Sequence, residues 1–153
     1  MKSRYIDTPL GRMKLSEMQG MICEAAFVDD ELAAVNDASP VLDEACRQIQ
    51  AYFAGDLKCF SLPVMRQGTA FEKEVSDALL GIPYAQTRSY AEIARMIGRT
   101  GAARAVGRAC AHNPILVIVP CHRVIASDGK LTGYAAGVEI KRALLALERK
   151  NRI

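Results

Sequence analysis

The sequence has no tryptophan, only two histidines and five cysteines among its 153 residues. The cysteines are odd in number and irregularly spaced, and no two of them form a CxxC pair. A disulfide-stapled domain or a common zinc module needs paired or regularly spaced ligands, so both classes are excluded. We therefore expect free thiols and no bound metal. The cysteines are Cys23, Cys46, Cys59, Cys110 and Cys121.

Long hydrophobic runs are also missing. The longest apolar stretch is far shorter than the roughly 20 residues that a membrane-spanning helix needs. Residues 1–7 include Lys2 and Arg4 and have no apolar signal region. Half of the residues are hydrophobic and 24% are charged, which is typical of a globular chain. We expect a cytoplasmic protein with no membrane partner.

Acidic residues are scarce in the second half of the chain. Residues 1–69 carry 7 Lys and Arg against 10 Asp and Glu, a net charge of −3, whereas residues 70–153 carry 13 against 7, a net charge of +6. A polyanion such as nucleic acid is a candidate partner for so basic a segment. The alternative, from charge alone, is a basic face that contacts only solvent.

The first part of the chain predicts a small antiparallel sheet with one helix packed on it. Met13 and Leu15 alternate with charged residues, and residues 21–28 form a second apolar run, as expected for strands. Ser39 and Pro40 are typical of a helix start, and an apolar stripe follows them.

An irregular stretch, residues 62–68, coincides with the change in charge. We predict a domain boundary there, with one domain at residues 1–66 and a second at residues 67–153.

The second domain is predicted to be mostly helical. Thr69 with Glu72, and Ser89 with Glu92, have the spacing of capping boxes, so a helix should begin at each place. A turn at Gly98 then separates the second of these helices from a third, which is typical of a helix-turn-helix.

The third helix, predicted at residues 101–110, carries Arg104 and Arg108 among alanines and Gly107. Side chains this small would let the helix backbone lie close to a DNA groove, with the arginines reaching phosphates. The alternative is that the small residues pack against the core.

The sequence indicates a reactive site where Cys121 adjoins His122, one of the two histidines. A thiol becomes a strong nucleophile as the thiolate, and a histidine is the side chain best suited to remove its proton near neutral pH. The apolar run 115–119 predicts a buried strand, on which neighbouring side chains would point to opposite faces. Cys121 and His122 can therefore cooperate only if the strand ends at Pro120 and the chain turns.

The last helix, predicted at residues 138–150, has an acid on its apolar side. Ile140, Leu144 and Leu147 form the stripe, and Glu148 shares its face. A buried carboxylate needs a hydrogen-bonding partner, and His122 is a suitable one, because a carboxylate on one ring nitrogen fixes the tautomer and raises the basicity of the other. The alternative is that Glu148, near the end of the sequence, contacts only water.

Several of these segments together resemble the O6-alkylguanine-DNA alkyltransferases, the methylated-DNA-protein-cysteine methyltransferase family. The order and spacing agree over roughly residues 70–150, and the segment 8–11 resembles the start of the family's N-terminal domain. The matching segments are Ala103-Arg104-Ala105-Val106-Gly107, Asn113-Pro114, Pro120-Cys121-His122-Arg123-Val124-Ile125, Gly133-Tyr134, and Leu144-Leu145 with Glu148.

The resemblance implies an α+β fold. Its N-terminal part would be a small antiparallel sheet with a helix, similar to ribonuclease H, and its C-terminal part a mostly helical, winged-helix-like helix-turn-helix domain that carries the active site. It also implies a function: transfer of an alkyl group from O6 of guanine, and less uniformly from O4 of thymine, to a cysteine in one irreversible, stoichiometric step without a cofactor.

Catalytic roles follow from the resemblance for four residues. Cys121 would accept the alkyl group, His122 would act through a water as the base that generates the thiolate, and Glu148 would orient His122. Asn113 would hold the turn between the helix-turn-helix and the active-site segment.

The resemblance also implies a partner, double-stranded DNA that contains O6-alkylguanine. A monomer would bind the minor groove and rotate the damaged nucleotide out, with Arg104 filling the gap and Tyr90 acting at the phosphate and at the leaving base. In a prokaryote the protein would associate with the nucleoid. The expected DNA-binding residues are Arg104, Tyr90, Ala102, Gly107 and Arg123, and the expected pocket residues are Tyr90, Cys110, Tyr134, Ala135 and Ala136.

The sequence departs from the family pattern beside the pocket. Ala136 stands where the family commonly has glycine, so we expect large O6 substituents to fit poorly. Residues 1–69 contain no histidine, so the zinc site of some relatives is not expected here.

Two other functional classes are compatible with parts of the sequence. One is a non-catalytic protein that binds alkylated lesions without repairing them, but such proteins carry another residue at the position of Cys121. The other is a cysteine hydrolase, but hydrolases draw their cysteine and histidine from separate segments.

Overall fold

The computed structural model describes residues 1–29 and 36–152, which form two compact units, Met1–Met65 and Arg66–Ile153. The first unit contains a three-stranded antiparallel sheet in the order β1-β2-β3. The strands are β1 (Lys2–Thr8), β2 (Gly11–Met18) and β3 (Met21–Val28). The predicted sheet is confirmed.

The alternation of side chains explains which face of the sheet is buried. Met13 and Leu15 are fully buried on β2, while Arg12 and Lys14, which alternate with them, are half-buried. The turn between β1 and β2 is closed by Thr8, whose Oγ1 donates to the Gly11 carbonyl and accepts from Leu10 N.

Helix α1 (Pro40–Phe53) packs on this sheet. As predicted, Ser39 is the N-cap: its side chain accepts a hydrogen bond from Leu42 N, and Pro40 follows at the first helical position. The buried side chains of α1 recur every three or four residues, which turns one face of the helix to the sheet. They are Leu42, Ala45, Cys46, Gln48, Ile49 and Tyr52.

The second unit is mostly helical, as predicted. Thr69 and Glu72 form a complete capping box at the start of α2 (Ala70–Leu80), and Ser89 and Glu92 form another at the start of α3 (Tyr90–Met96). The predicted third helix is present as α4 (Ala103–Ala111), and Gly98 adopts a positive φ of 74° just after α3.

The predicted strand at 115–119 is wrong. These residues are buried but form turns, with Val117 at φ 71° and a hydrogen bond from Val119 N to Ile115 O. The Asn113 side chain binds backbone groups at both ends of the segment, and this favours a folded turn over an extended strand. A short 3₁₀ turn, Cys121–Arg123, follows, so the chain does turn after Pro120.

The sequence did not predict a two-stranded parallel sheet whose strands come from either side of the helix-turn-helix along the chain. Strand β4 (Arg88–Ser89) leads into α3 and pairs with β5 (Val124–Ile125), which follows the 3₁₀ turn. This pairing brings the segment after Cys121 beside the start of α3.

The last helix, α5 (Val138–Lys150), has the predicted bounds. Its buried face differs from the predicted stripe, because Ile140 and Leu147 are only half-buried. The fully buried residues are Lys141, Leu144 and Glu148, so this helix buries two charged side chains beside one leucine. Within residues 1–29 and 36–152, no helix has both the length and the apolar character needed to cross a membrane.

Candidate active site

Cys121 lies at the start of the 3₁₀ turn and is almost fully buried, with 2% of its surface exposed. Its backbone N–H donates to Val119 O over 2.8 Å. Burial raises the pKa of the Cys121 thiol, while the hydrogen bond from Asn113 and the charge of Lys141 oppose that rise. A thiol held in this way needs a base to become a nucleophile.

Asn113 is buried and binds the active-site turn on two sides. Its Oδ1 accepts from Ile115 N over 3.0 Å, and its Nδ2 donates to Val119 O over 3.0 Å. The same Nδ2 donates to Cys121 Sγ over 3.2 Å. One amide therefore shapes the turn and also directs a hydrogen at the sulfur.

His122 and Glu148 form a fully buried pair, as the position of Glu148 on its helix suggested. His122 Nε2 lies 2.7 Å from Glu148 Oε2. Burial lowers the pKa of His122 more than Glu148 raises it, so the imidazole is neutral at pH 7. With a carboxylate at Nε2, the ring proton belongs on that nitrogen and Nδ1 carries the lone pair. Among the described residues, Nδ1 is buried and has no hydrogen-bond partner.

The structure corrects the expectation that Arg123 binds DNA. Arg123 is buried: Nε and Nη2 donate to the two carboxylate oxygens of Glu148 over 2.8 and 2.9 Å, and Nη1 donates to Ile82 O over 2.8 Å. A guanidinium whose donors are used in this way cannot also reach a phosphate. The backbone N–H of Ala85 gives Glu148 a further hydrogen bond of 3.0 Å. Arg123 thus provides the counter-charge that a buried carboxylate needs.

Tyr90 begins α3 and is half-buried. Its hydroxyl donates to Thr132 O over 2.9 Å and lies 3.3 Å from Lys141 Nζ. Burial raises the pKa of the Tyr90 hydroxyl, and the charge of a Cys121 thiolate would raise it further. This coupling places the hydroxyl in the electrostatic environment of Cys121.

The other predicted pocket residues differ in burial. Tyr134 and Cys110 are buried, whereas Ala136 is half-buried and Ala135 is exposed. Burial and the Cys121 charge raise the pKa of the Cys110 thiol to about 12, so it stays protonated at neutral pH. The Tyr134 hydroxyl is buried without a hydrogen-bond partner among the described residues, and burial raises its pKa as well. Tyr134 and Cys110 thus contribute a mainly apolar environment.

The exposed side of α4 carries the predicted arginines. Arg104 and Arg108 are exposed, Ala102 and Gly107 are half-buried, and the helix buries Val106 and Cys110 instead. Ala105 and Gly107, which lie between the arginines, are half-buried, so this part of α4 is neither wholly in the core nor wholly exposed.

Sequence reasoning missed Lys141, which is buried close to Tyr90. It lies three residues before Leu144 and seven before Glu148, so helical spacing places it on the buried face, and this was the signal available. Within the described ranges, no group of three or more His, Cys, Asp or Glu side chains is placed to hold a metal ion.

Comparisons with known proteins agree over nearly the whole chain. The family models for the 6-O-methylguanine DNA methyltransferase ribonuclease-like domain and DNA binding domain match residues 1–65 and 70–150. The methylated-DNA--protein-cysteine methyltransferase of Mycolicibacterium paratuberculosis is 43% identical over 152 residues, which cover 97% of this chain and 92% of that protein. The protein of that name from Methanosarcina acetivorans is 58% identical over 105 residues, 69% of this chain and 67% of that protein.

A solved structure is similar as well. The crystal structure of Mycobacterium tuberculosis OGT in complex with DNA has a TM-score of 0.89 and 45% sequence identity, and the match covers 99% of this chain and 94% of that chain. The chain belongs to the 6-O-methylguanine DNA methyltransferase family. The resemblance drawn from the sequence and the predicted fold class are both confirmed.

Proposed function

We propose that this protein repairs alkylated DNA by direct reversal, transferring the alkyl group from O6 of guanine to Cys121. A bond forms between Cys121 Sγ and the alkyl carbon, the bond from that carbon to O6 breaks, and the guanine leaves as an anion that takes up a proton. The thioether product is stable, so each molecule acts once. The observation that carries the proposal is a buried cysteine that accepts a hydrogen bond from Asn113 beside the His122–Glu148 pair.

His122 is the base in this proposal. Its Nδ1 carries the lone pair, and we infer that it takes the Cys121 proton through one water molecule. Glu148 holds the tautomer and stabilises the imidazolium that forms, and Arg123 balances the charge of Glu148. Asn113 stabilises the developing thiolate and holds the turn.

The burial of Cys121 sets a condition on how DNA is bound. Cys121 is only 2% exposed, so its sulfur cannot reach a base stacked inside a duplex, and the nucleotide must be rotated out, which costs a few kcal/mol. We propose that α4 enters the minor groove, where Ala102 and Gly107 allow close approach and exposed Arg104 fills the gap left by the base. DNA binding is also supported by the similar structure solved in complex with DNA.

We propose that the rotated base occupies a pocket beside Tyr90, with Cys110, Tyr134, Ala135 and Ala136 near it. The half-buried Tyr90 hydroxyl donates to Thr132 O, and we propose that it donates to the leaving base instead when the base is bound. The methyl group of Ala136 favours small alkyl groups. Repair of O4-alkylthymine is a second substrate proposal and rests on the family resemblance alone.

The roles of the two domains, the location in the cell and the oligomeric state are also proposed. Residues 1–66 would be a structural domain and residues 67–153 the DNA-binding and alkyl-acceptor domain, a division supported by the two family models. The protein would act as a cytoplasmic monomer without a cofactor.

The experiment is incubation of the protein with an O6-methylguanine duplex, followed by mass analysis of the peptides. We expect a gain of one methyl group on the peptide that contains Cys121, and none when Cys121→Ser is tested. If the duplex is bound but neither protein gains a methyl group, the chain is instead a lesion-binding protein without transfer activity.

A further inference from the structure

The backbone of Val117, four residues before Cys121, adopts an unfavourable conformation. Its φ of 71° lies in the left-handed region. A residue branched at Cβ is rarely found there, because its side chain crowds its own backbone, and holding it there costs free energy. Among the described residues, the only others besides glycine with positive φ are Gln19 and Ala85, and neither is branched at Cβ. Strain of this kind persists only where the surrounding structure enforces it.

Val117 is the middle residue of a γ-turn. Ile118 N donates to Leu116 O over 2.8 Å, which closes a turn of three residues. With positive φ at its centre, this γ-turn is of the rare and strained form. A second γ-turn, centred on Pro120, ends at Cys121, but the φ of −83° and ψ of 59° at its centre are those of the common form. Of the two turns, only the one at Val117 is strained.

The strained turn brings two backbone carbonyls to one side chain. Asn113 Nδ2 donates to Ile115 O over 3.3 Å and to Val119 O over 3.0 Å. Val119 N also donates to Ile115 O over 3.1 Å. Ile115 and Val119 flank the turn, so their carbonyls can meet at one amide only while the chain reverses at Val117.

The same amide donates to Cys121 Sγ over 3.2 Å, so Nδ2 has three acceptors but only two hydrogens. The direction of those hydrogens depends on where the two carbonyls lie. If the turn opens, the amide loses the acceptors that orient it, and the hydrogen directed at the sulfur is lost with them. A hydrogen bond to the sulfur favours the thiolate. The shape of the turn therefore affects the reactivity of Cys121.

The turn is anchored by a buried side chain. Val117 is 1% exposed, and the other residues of the segment 115–119 are buried as well. Glycine adopts positive φ without strain, but it has no side chain that could hold the turn in place. A valine at this position thus strains the backbone and at the same time fixes the turn.

We propose that Val117 is a positioning residue for alkyl transfer: its buried side chain holds the strained turn closed, and the closed turn keeps the Asn113 amide directed at the Cys121 sulfur. This rests on the proposed function. The effect of Val117 passes through Asn113, so it is measurable as a change in the ionisation of the Cys121 thiol.

The first experiment tests the strain. Val117→Gly and Val117→Ala are compared by urea denaturation with the same two substitutions at Val75, an equally buried valine in helix α2. At Val75 the glycine variant should be less stable than the alanine variant, as is usual in a helix. At Val117 the urea midpoint of the glycine variant should equal or exceed that of the alanine variant, because alanine keeps the strain. A lower midpoint for Val117→Gly, or failure of either Val117 variant to fold, would overturn the proposal.

The second experiment measures the reactivity of the thiol. Cys121 is alkylated with iodoacetamide over a range of pH, and its peptide is followed by mass analysis. Val117→Gly should displace the pH profile to higher pH and react about tenfold more slowly at neutral pH, which corresponds to the loss of a hydrogen bond to a charged group. Methyl transfer from an O6-methylguanine duplex should slow by a similar factor with DNA binding unchanged, and Val75→Ala should leave the iodoacetamide profile as it is. A wild-type profile in Val117→Gly would overturn the proposal.

A double substitution tests the route through Asn113. In an Asn113→Ala background, Val117→Gly should change the iodoacetamide rate by less than about threefold, because the two residues act in series. A further tenfold loss in that background would overturn the proposal. If wild-type protein takes no methyl group from the duplex, the proposed function fails, whereas the iodoacetamide profile still decides the role of Val117.

Discussion

The side-chain amide of Asn113 donates a hydrogen bond to the sulfur of Cys121 over 3.2 Å, while its carbonyl oxygen accepts from the backbone of Ile115. The two residues are eight positions apart, and the turn between them is buried. The residue that folds the segment is thus also the residue that contacts the alkyl acceptor. Stability and reactivity are coupled at this position.

Replacing Asn113 should affect both properties. Asn113→Ala leaves Ile115 N without its partner, and a buried donor left unsatisfied costs about 1–3 kcal/mol. The substitution also removes one of the two hydrogen bonds that Val119 O accepts, the other being from Cys121 N. We expect a lower free energy of unfolding in urea and slower methyl transfer from DNA by protein that remains folded. A variant with wild-type stability and rate would show that the turn does not depend on this side chain.

Arg123 is expected to matter for stability rather than for contact with DNA. Arg123→Met leaves Glu148 buried without its cation, and breaking a buried pair in this way costs about 3–5 kcal/mol. The matched control is Arg142→Met, which removes an exposed pair with Glu139 worth about 1 kcal/mol or less. Urea denaturation of the two variants measures the difference, and equal small losses would contradict the assignment.

Glu148→Gln tests the base. Because burial lowers the pKa of His122 below its usual 6.5, neutral imidazole persists down to pH 6.5, and the wild-type transfer rate should fall only when the pH drops below the folded pKa. In Glu148→Gln, the amide neither stabilises an imidazolium nor enforces the tautomer, so transfer should be slower at neutral pH and should rise with alkaline pH, where hydroxide can remove the thiol proton.

Single-turnover rates measured across pH, alongside a DNA-binding titration, provide the comparison. The loss should be smaller than that of Cys121→Ser, and DNA binding should be unchanged. Unchanged transfer at neutral pH, or equal losses of binding and transfer, would leave Glu148 a purely structural residue.

Arg104 is expected to act only on duplex DNA. Arg104→Ala should slow repair of a duplex far more than reaction with free O6-methylguanine, since only the duplex requires the base to be extruded and the gap filled. Arg108→Ala, one turn further along the exposed side of α4, is the control for loss of charge. Equal losses on duplex and free base would mean that Arg104 supports the fold or the pocket.

The sequence predicted the helices best where local chemistry determines them. Both capping boxes, at Thr69 and Ser89, begin helices, and Ser39 with Pro40 begins α1. Helical spacing likewise placed Glu148 on a buried face.

The sequence did not predict contacts between segments that are distant along the chain. The run 115–119 is apolar enough for a strand, and only the hydrogen bonds of Asn113 reveal the turn. The parallel pairing of β4 with β5 joins residues more than thirty positions apart. Lys141 was overlooked because a lysine is normally assigned to the surface, although its helical phase pointed inward.

The most direct test of methyl transfer to Cys121 is a titration of the protein with an excess of duplex that carries an isotopically labelled O6-methyl group. The number of guanines restored should equal the number of protein molecules, and all of the label should lie on Cys121, with none on Cys23, Cys46, Cys59 or Cys110. Repair that continues beyond one guanine per protein, or label found mainly on another residue, would contradict direct transfer to Cys121.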